Sequence, residues 1–163
     1  MSVWNPVAFV GQKILGAVAG TPVFSDSNGQ LITGQPTPTF VSAATNITVA
    51  TSASYATMTG MTLSPAAGTY QVVGRIGSVA HTTNNAQILI AIHVAGTIVS
   101  DSIAEAIPFI QGGVTPSLAV PMPMYTATEV TITAGQAITL EWRTSAGTAQ
   151  ANLSRSLLIT RIR

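Results

Sequence analysis

Ser78, His81 and Asp101 are the residue types of a hydrolytic triad, in which a base takes the serine proton and an acid orients the base. The strand-turn-helix elbow Gly-x-Ser-x-Gly that would present such a serine is missing, so the three residues predict no catalysis and the chain reads as a non-enzyme. The five carboxylates, Asp26, Asp101, Glu105, Glu129 and Glu141, are not spaced for paired acid/base work or for a calcium loop. His81 and His93 are the only imidazoles and there is no cysteine. A zinc or iron site within one chain would therefore lack ligands, and no cofactor is expected. In a trimer, three copies of His93 on the axis could ring an ion, against the simpler reading of a packed interface histidine. Gly74-Arg75-Ile76-Gly77 belongs to a strand, and no phosphate-binding glycine loop is present.

The elements that would position these residues are strands. From about Val41 onward, short runs rich in Val, Ile, Thr and Tyr are punctuated by Gly, Pro, Asn and Ser every 8 to 12 residues or so, the pattern of an all-β domain. Ile138, Leu140 and Trp142 alternate with Thr139, Glu141 and Arg143, which predicts a half-buried strand with Glu141 and Arg143 as a surface or interface ion pair. Val130 and Ile132 form the partner of an expected hairpin through Ala134-Gly135-Gln136. Tyr70, Val72, Gly74 and Ile76 share a face of a strand opened by the Pro65 to Gly68 turn, and its glycines predict a close approach or a bulge. Ile88 to Val94 is apolar or small on both sides, as in a strand covered on two faces. The second cover is expected from a neighbouring subunit, with Leu89, Ala91 and His93 on the interface. Ala95-Gly96-Thr97 then turns the chain into a strand over Ile98 to Ser102, and Leu157 to Arg163 forms the last strand.

Composition points to assembly. Only six Lys and Arg and five Asp and Glu occur among 163 residues, 7% where about 25% is usual. A monomer of 16.7 kDa exposes roughly 7,600 Å² by surface scaling, so even with every charge outside the surface is poorly charged and prone to association. A net charge of +1 argues against phosphate-backbone binding, which needs clustered cations, so no nucleic acid is expected. Mean hydropathy is +0.46, yet no apolar run approaches the roughly 18 residues that span a bilayer, and no membrane partner is expected. The start of the chain lacks a secretory pattern, so the cytosol of a producing cell is permitted, and Asn46-Ile47-Thr48 and Asn152-Leu153-Ser154 are read as unused glycosylation matches.

Residues 1–39 carry Pro6, Pro22, Pro36 and Pro38 with repeated Gly and short apolar patches, the pattern of an extended arm rather than a domain. Phe24 to Leu31 reads as a small hairpin turning at Asn28-Gly29. Trp4, Phe9, Ile14, Leu15 and Phe24 are its candidate partner-contacting residues, and residues 40–163 form the folded domain. Pro108 to Pro123, with four prolines and Gly112-Gly113, reads as a long loop with one short strand near Leu118 to Val120.

Thr57 to Val72, ending Gly68-Thr69-Tyr70-Gln71-Val72, resembles the strand entry of jelly-roll trimers related to tumour necrosis factor and C1q. Ile92 to Thr97, Val130 to Glu141 and Leu157 to Ile162 fit further strands of that pattern in the same order. The resemblance covers about residues 40 to 163. It implies an antiparallel jelly-roll sandwich with an extended N-terminal arm, a homotrimer, and no inherited catalytic residue. Among proteins with this module, the Thr/Ala/Gly-rich, charge-poor chain looks like a tailed-phage virion protein. The short arm, in place of a fibre stalk, implies a decoration or cement protein on the capsid surface whose partner is the major capsid protein. The alternative is a receptor-binding module of a tail or head fibre.

Overall fold

The structure, a computed structural model, describes residues 38–83, 85–107 and 122–162 and the backbone of 23–25 and 31–33; at 152 and 153 it also describes backbone alone. The chain divides into two compact units, Met1–Pro36 with Arg163, and Thr37–Ile162. In the first, β1 (Val23–Ser25) pairs antiparallel with β2 (Leu31–Thr33), the flanks of the expected hairpin; its Asn28-Gly29 turn lies outside the described residues.

The second unit is a sandwich of two antiparallel sheets. β3 (Thr39–Ala43), β4 (Ile47–Ala50), β6 (Gly68–His81), β10 (Met122–Ile132) and β12 (Thr148–Arg161) form the first, in the order β10-β6-β12-β3 with β4 also on β12. β5 (Ala56–Leu63), β7 (Ile88–Val94), β8 (Thr97–Ile98), β9 (Ala104–Ala106) and β11 (Ile138–Thr144) form the second, in the order β5-β11-β7-β8 with β9 also on β7. Successive strands repeatedly change sheet, the mark of a jelly roll. No described helix is long and apolar enough to cross a membrane.

The core follows the alternation. Val72, Ile76, Ile88, Ile90, Ile92, Ile138, Leu140 and Leu157 are fully buried between the sheets, with Trp142, Met58 and Met61. Each such aliphatic side chain contributes about 1.5–3 kcal/mol by leaving water. Gly74 faces inward, and a Cβ there would stand 2.7 Å from Leu140 Cδ1, so this is the expected close approach. The expected bulge lies further along, where the registers with β10 and β12 both shift near Gly77. Ala95 (φ 49°) and Gly96 (φ 78°) make the two-residue β7–β8 turn with both dihedrals positive, the type that matches strand twist.

Three local expectations need correction. Val130 and Ile132 do not form a hairpin with the Trp142 strand: β10 pairs β6, β11 pairs β5 and β7, and Ala134-Gly135-Gln136 crosses between sheets. The same turn chemistry serves either connection, since Gly135 needs φ +84° and Gln136 Oε1 accepts from Thr133 N at 2.8 Å whichever sheet comes next. Ile98 to Ser102 is not one strand. β8 ends at Ile98 and Ser100–Ser102 form a 3-10 turn, because the Ser102 hydroxyl accepts from Ile92 N (2.8 Å) and donates to Val99 O (2.6 Å), folding the segment back on β7. The Thr126 hydroxyl of β10 donates to Ser102 O and that of Thr128 to Asp101 (3.0 Å), fastening the turn across the sandwich. Finally, Glu141 pairs with His93 rather than with Arg143, as described below.

Candidate assembly surface

The structure keeps the paper triad apart. Asp101 accepts from Thr128, which stands opposite Val72 on β6, while His81 lies nine residues further along that strand, about 30 Å away. His81 is buried in a relay of its own. Its Nδ1 lies 2.8 Å from Thr83 N and 2.9 Å from Thr83 O, and its Nε2 lies 2.7 Å from the Thr144 hydroxyl, which donates to Ala146 O (3.0 Å). Burial lowers its pKa below 6.5, outweighing the backbone contacts at Thr83 and Ala146 that favour protonation. The unfolded chain then binds this proton at higher pH than the folded one. The relay's stability is complete above about pH 6.5 and is lost as pH falls through the lower folded value. The urea midpoint should drop between pH 7.5 and 5.5. His81→Ala should flatten that decline and lower the stability at pH 7.5 by about 1–3 kcal/mol, read as a lower urea midpoint, because the Thr83 backbone loses its buried partner.

Leu89, Ala91 and His93 share the outer face of β7, opposite Arg143, Glu141 and Thr139 of β11. All three are buried within the single chain, Ala91 completely. Part of the cover is Tyr55, whose ring centre is 5.2 Å from that of His93 and lies under the Arg143 guanidinium, also at 5.2 Å. Glu141 Oε1 accepts from Thr57 (3.1 Å) and Thr139 (2.8 Å), and its Oε2 stands 3.3 Å from His93 Nδ1. That approach is an ion-pair distance without hydrogen-bond alignment, and both His93 ring nitrogens lack a hydrogen-bond partner. No group of three or more metal-ligating residues occurs among the described residues.

The outer face of the first sheet is different. The ladder registers place Phe40, Leu158, Val73 and Ala127 side by side across β3, β12, β6 and β10. The next row is Ser42, Ser156, Arg75 and Tyr125, and on the other flank Thr160, Gln71 and Glu129. Phe40 is 65% exposed and Tyr125 61%, and the other three apolar members of these rows are half-buried. Arg75 and Glu129 are the only charges in the three rows. Alternation in these strands signals one buried face; that the other carries an apolar row emerges only once four strands are aligned. Of the arm residues, Trp4, Phe9, Ile14 and Leu15 lie outside the described residues, as does the Phe24 side chain. Residues 108–121 of the long loop, including Leu118 to Val120, also lie outside them.

No family model and no curated protein matches the sequence. Among solved structures, an Eiger tumour necrosis factor from S. frugiperda is similar over 79% of this chain and 94% of its own, with a TM-score of 0.54 and 11% identity. The infectious bursal disease virus VP2 subviral particle matches 86% of this chain and 37% of its own, with a TM-score of 0.45 and 14% identity. A pentameric capsid protein from metagenomic phage sequences matches 72% and 59%, with a TM-score of 0.34 and 18% identity. This chain thus spans less than two thirds of either viral chain. With its order of strands and two antiparallel sheets, the described domain has a jelly-roll fold.

Proposed function

We propose that the protein is a structural component of a virion, a homotrimeric decoration protein that binds the outside of a phage capsid and cements adjacent major-capsid subunits. The observation that carries the reading is the apolar row Phe40-Leu158-Val73-Ala127 with Tyr125 beside it, on the open face of a domain already closed on its other side. Contiguous apolar surface of this kind marks interaction sites, and the scarcity of charge across the whole chain supports it. In this reading the row is the principal subunit contact, and Leu89, Ala91 and His93 form the alternative contact, reached through the Tyr55 cover. Residues 1–39, with Trp4, Phe9, Ile14, Leu15 and Phe24, form the capsid-binding arm. Three arms on one trimer raise the effective concentration of the second and third contacts, so modest individual affinities add to firm attachment. The test is light scattering and capsid co-sedimentation of the full chain and of a chain starting at Thr39. Both forms should have the mass of a trimer, and the shortened one should lose capsid binding by about a hundredfold or more. A monomeric full chain, or tight binding without the arm, would overturn the reading.

A further inference from the structure

Beside the apolar row, the outer face of the first sheet holds a cavity of about 320 Å³, lined by Arg75, Arg155, Ser42, Ser154, Ser156 and two alanines. Two of the chain's six basic residues therefore meet at one place, and no carboxylate lines it among the described residues. Arg75 is exposed, and no ion pair or hydrogen bond engages its side chain among the described residues. The hydroxyls of Ser42, Ser154 and Ser156 are equally unengaged among the described residues. Arg155 is 2% exposed. Its guanidinium donates through Nε and Nη2 to Thr59 O (3.2 and 2.9 Å), through Nη1 to Thr45 O, and through Nη2 to Thr45 Oγ1 (3.4 Å). Every one of these acceptors is neutral, so among the described residues a buried positive charge stands without a counter-charge, in surroundings that screen it poorly. Burial alone lowers its pKa.

The backbone is shaped here too. Residues 153 and 154 of β12 stand opposite Gly77 alone, and Ser154 takes φ 53°, so the ladder opens at the cavity wall. A planar guanidinium with rotatable hydroxyl donors around it matches the oxygens of a phosphate or carboxylate. We propose that this cavity is an oxyanion-binding site, with Arg75 as the direct ligand and Arg155 as the fixed charge behind it. The oxyanion comes either from solution, as a phosphate group, or from a neighbouring copy, as a carboxylate. The site does not depend on the virion reading, since a free monomer would bind phosphate equally well.

The test uses the full chain in phosphate and in chloride of equal ionic strength. At a phosphate concentration ten times Kd the thermal midpoint should rise by about 3 °C, with broadening of the phosphorus resonance. Arg75→Gln should abolish both effects while leaving the midpoint in chloride within about 1 °C, because exposed side chains without partners add little stability. Ser42→Ala combined with Ser156→Ala should weaken phosphate binding severalfold. If the natural oxyanion is a neighbour's carboxylate, Arg75→Gln should weaken self-association about tenfold in sedimentation equilibrium, and phosphate should dissociate the wild type by competition. If it is a free anion, phosphate should act at dilutions where only monomers exist. Identical midpoints and linewidths in phosphate and chloride, together with unchanged self-association of Arg75→Gln, would overturn the proposal.

Discussion

Trp142→Ala should destabilise the fold by about 3–5 kcal/mol, a large share of the 5–15 kcal/mol typical of a domain. Trp142 is 2% exposed and sits on β11 between Ile90 of β7 and Ala56 of β5, at the centre of the second sheet. The neighbours are poorly placed to fill the space. Ile90, Ile92, Ile138 and Leu140 are themselves fully buried, and their strands are held in register on both sides. The cavity would therefore stay open, and its walls would lose dispersion contacts in addition to the transfer energy of the indole. Urea denaturation read by circular dichroism should show a lower midpoint with little change in slope, and the thermal midpoint should fall by about 10 °C or more. Trp142→Phe, which keeps most of the volume, should cost less than half as much. A loss below about 1 kcal/mol for the alanine variant would show that the sandwich repacks around β11.

How much of this was legible in the sequence depends on the kind of contact. Period-two alternation identified the inward faces of β6 and β11, and the two-sided apolar run of β7 identified a strand covered on both faces, because each property is local to a few residues. What covers that strand was not legible. Tyr55 precedes β5 by one residue, and only the β5–β11–β7 order brings it over His93. The partner of Glu141 was misread for the same reason. Arg143 is two residues away along the strand, whereas His93 is diagonal across the ladder and 48 residues distant in sequence. Arg155 was missed altogether, although it continues the inward alternation of Leu157 and Ile159 by one step, and an arginine in an inward position is a signal that alternation alone can give. The resemblance to jelly-roll trimers supplied the fold class but not the connection of β10 to β11, which local turn chemistry could not decide.

On the trimer proposed above, Phe40→Asp should give a monomer while leaving the fold intact. Phe40 is 65% exposed on the edge strand β3, so its replacement removes little buried area from the isolated domain, and the stability of the monomer should change by no more than about 0.5 kcal/mol. Within a subunit contact built on the Phe40-Leu158-Val73-Ala127 row, the same change removes an aromatic anchor and buries an unpaired carboxylate. Removing a large anchor costs about 2 kcal/mol or more, and a desolvated charge without a partner adds several more. A symmetric trimer contains three copies of the contact, so the penalties multiply into a loss of association of well over a thousandfold. Light scattering at micromolar protein should report the mass of one chain, with a circular dichroism spectrum matching the wild type. Tyr55→Asp separates the two candidate contacts, because it alters the cover of His93 and leaves the Phe40 row untouched. A variant at Phe40 that keeps its full mass, beside a Tyr55 variant that dissociates, would move the subunit contact to the face of Leu89, Ala91 and His93.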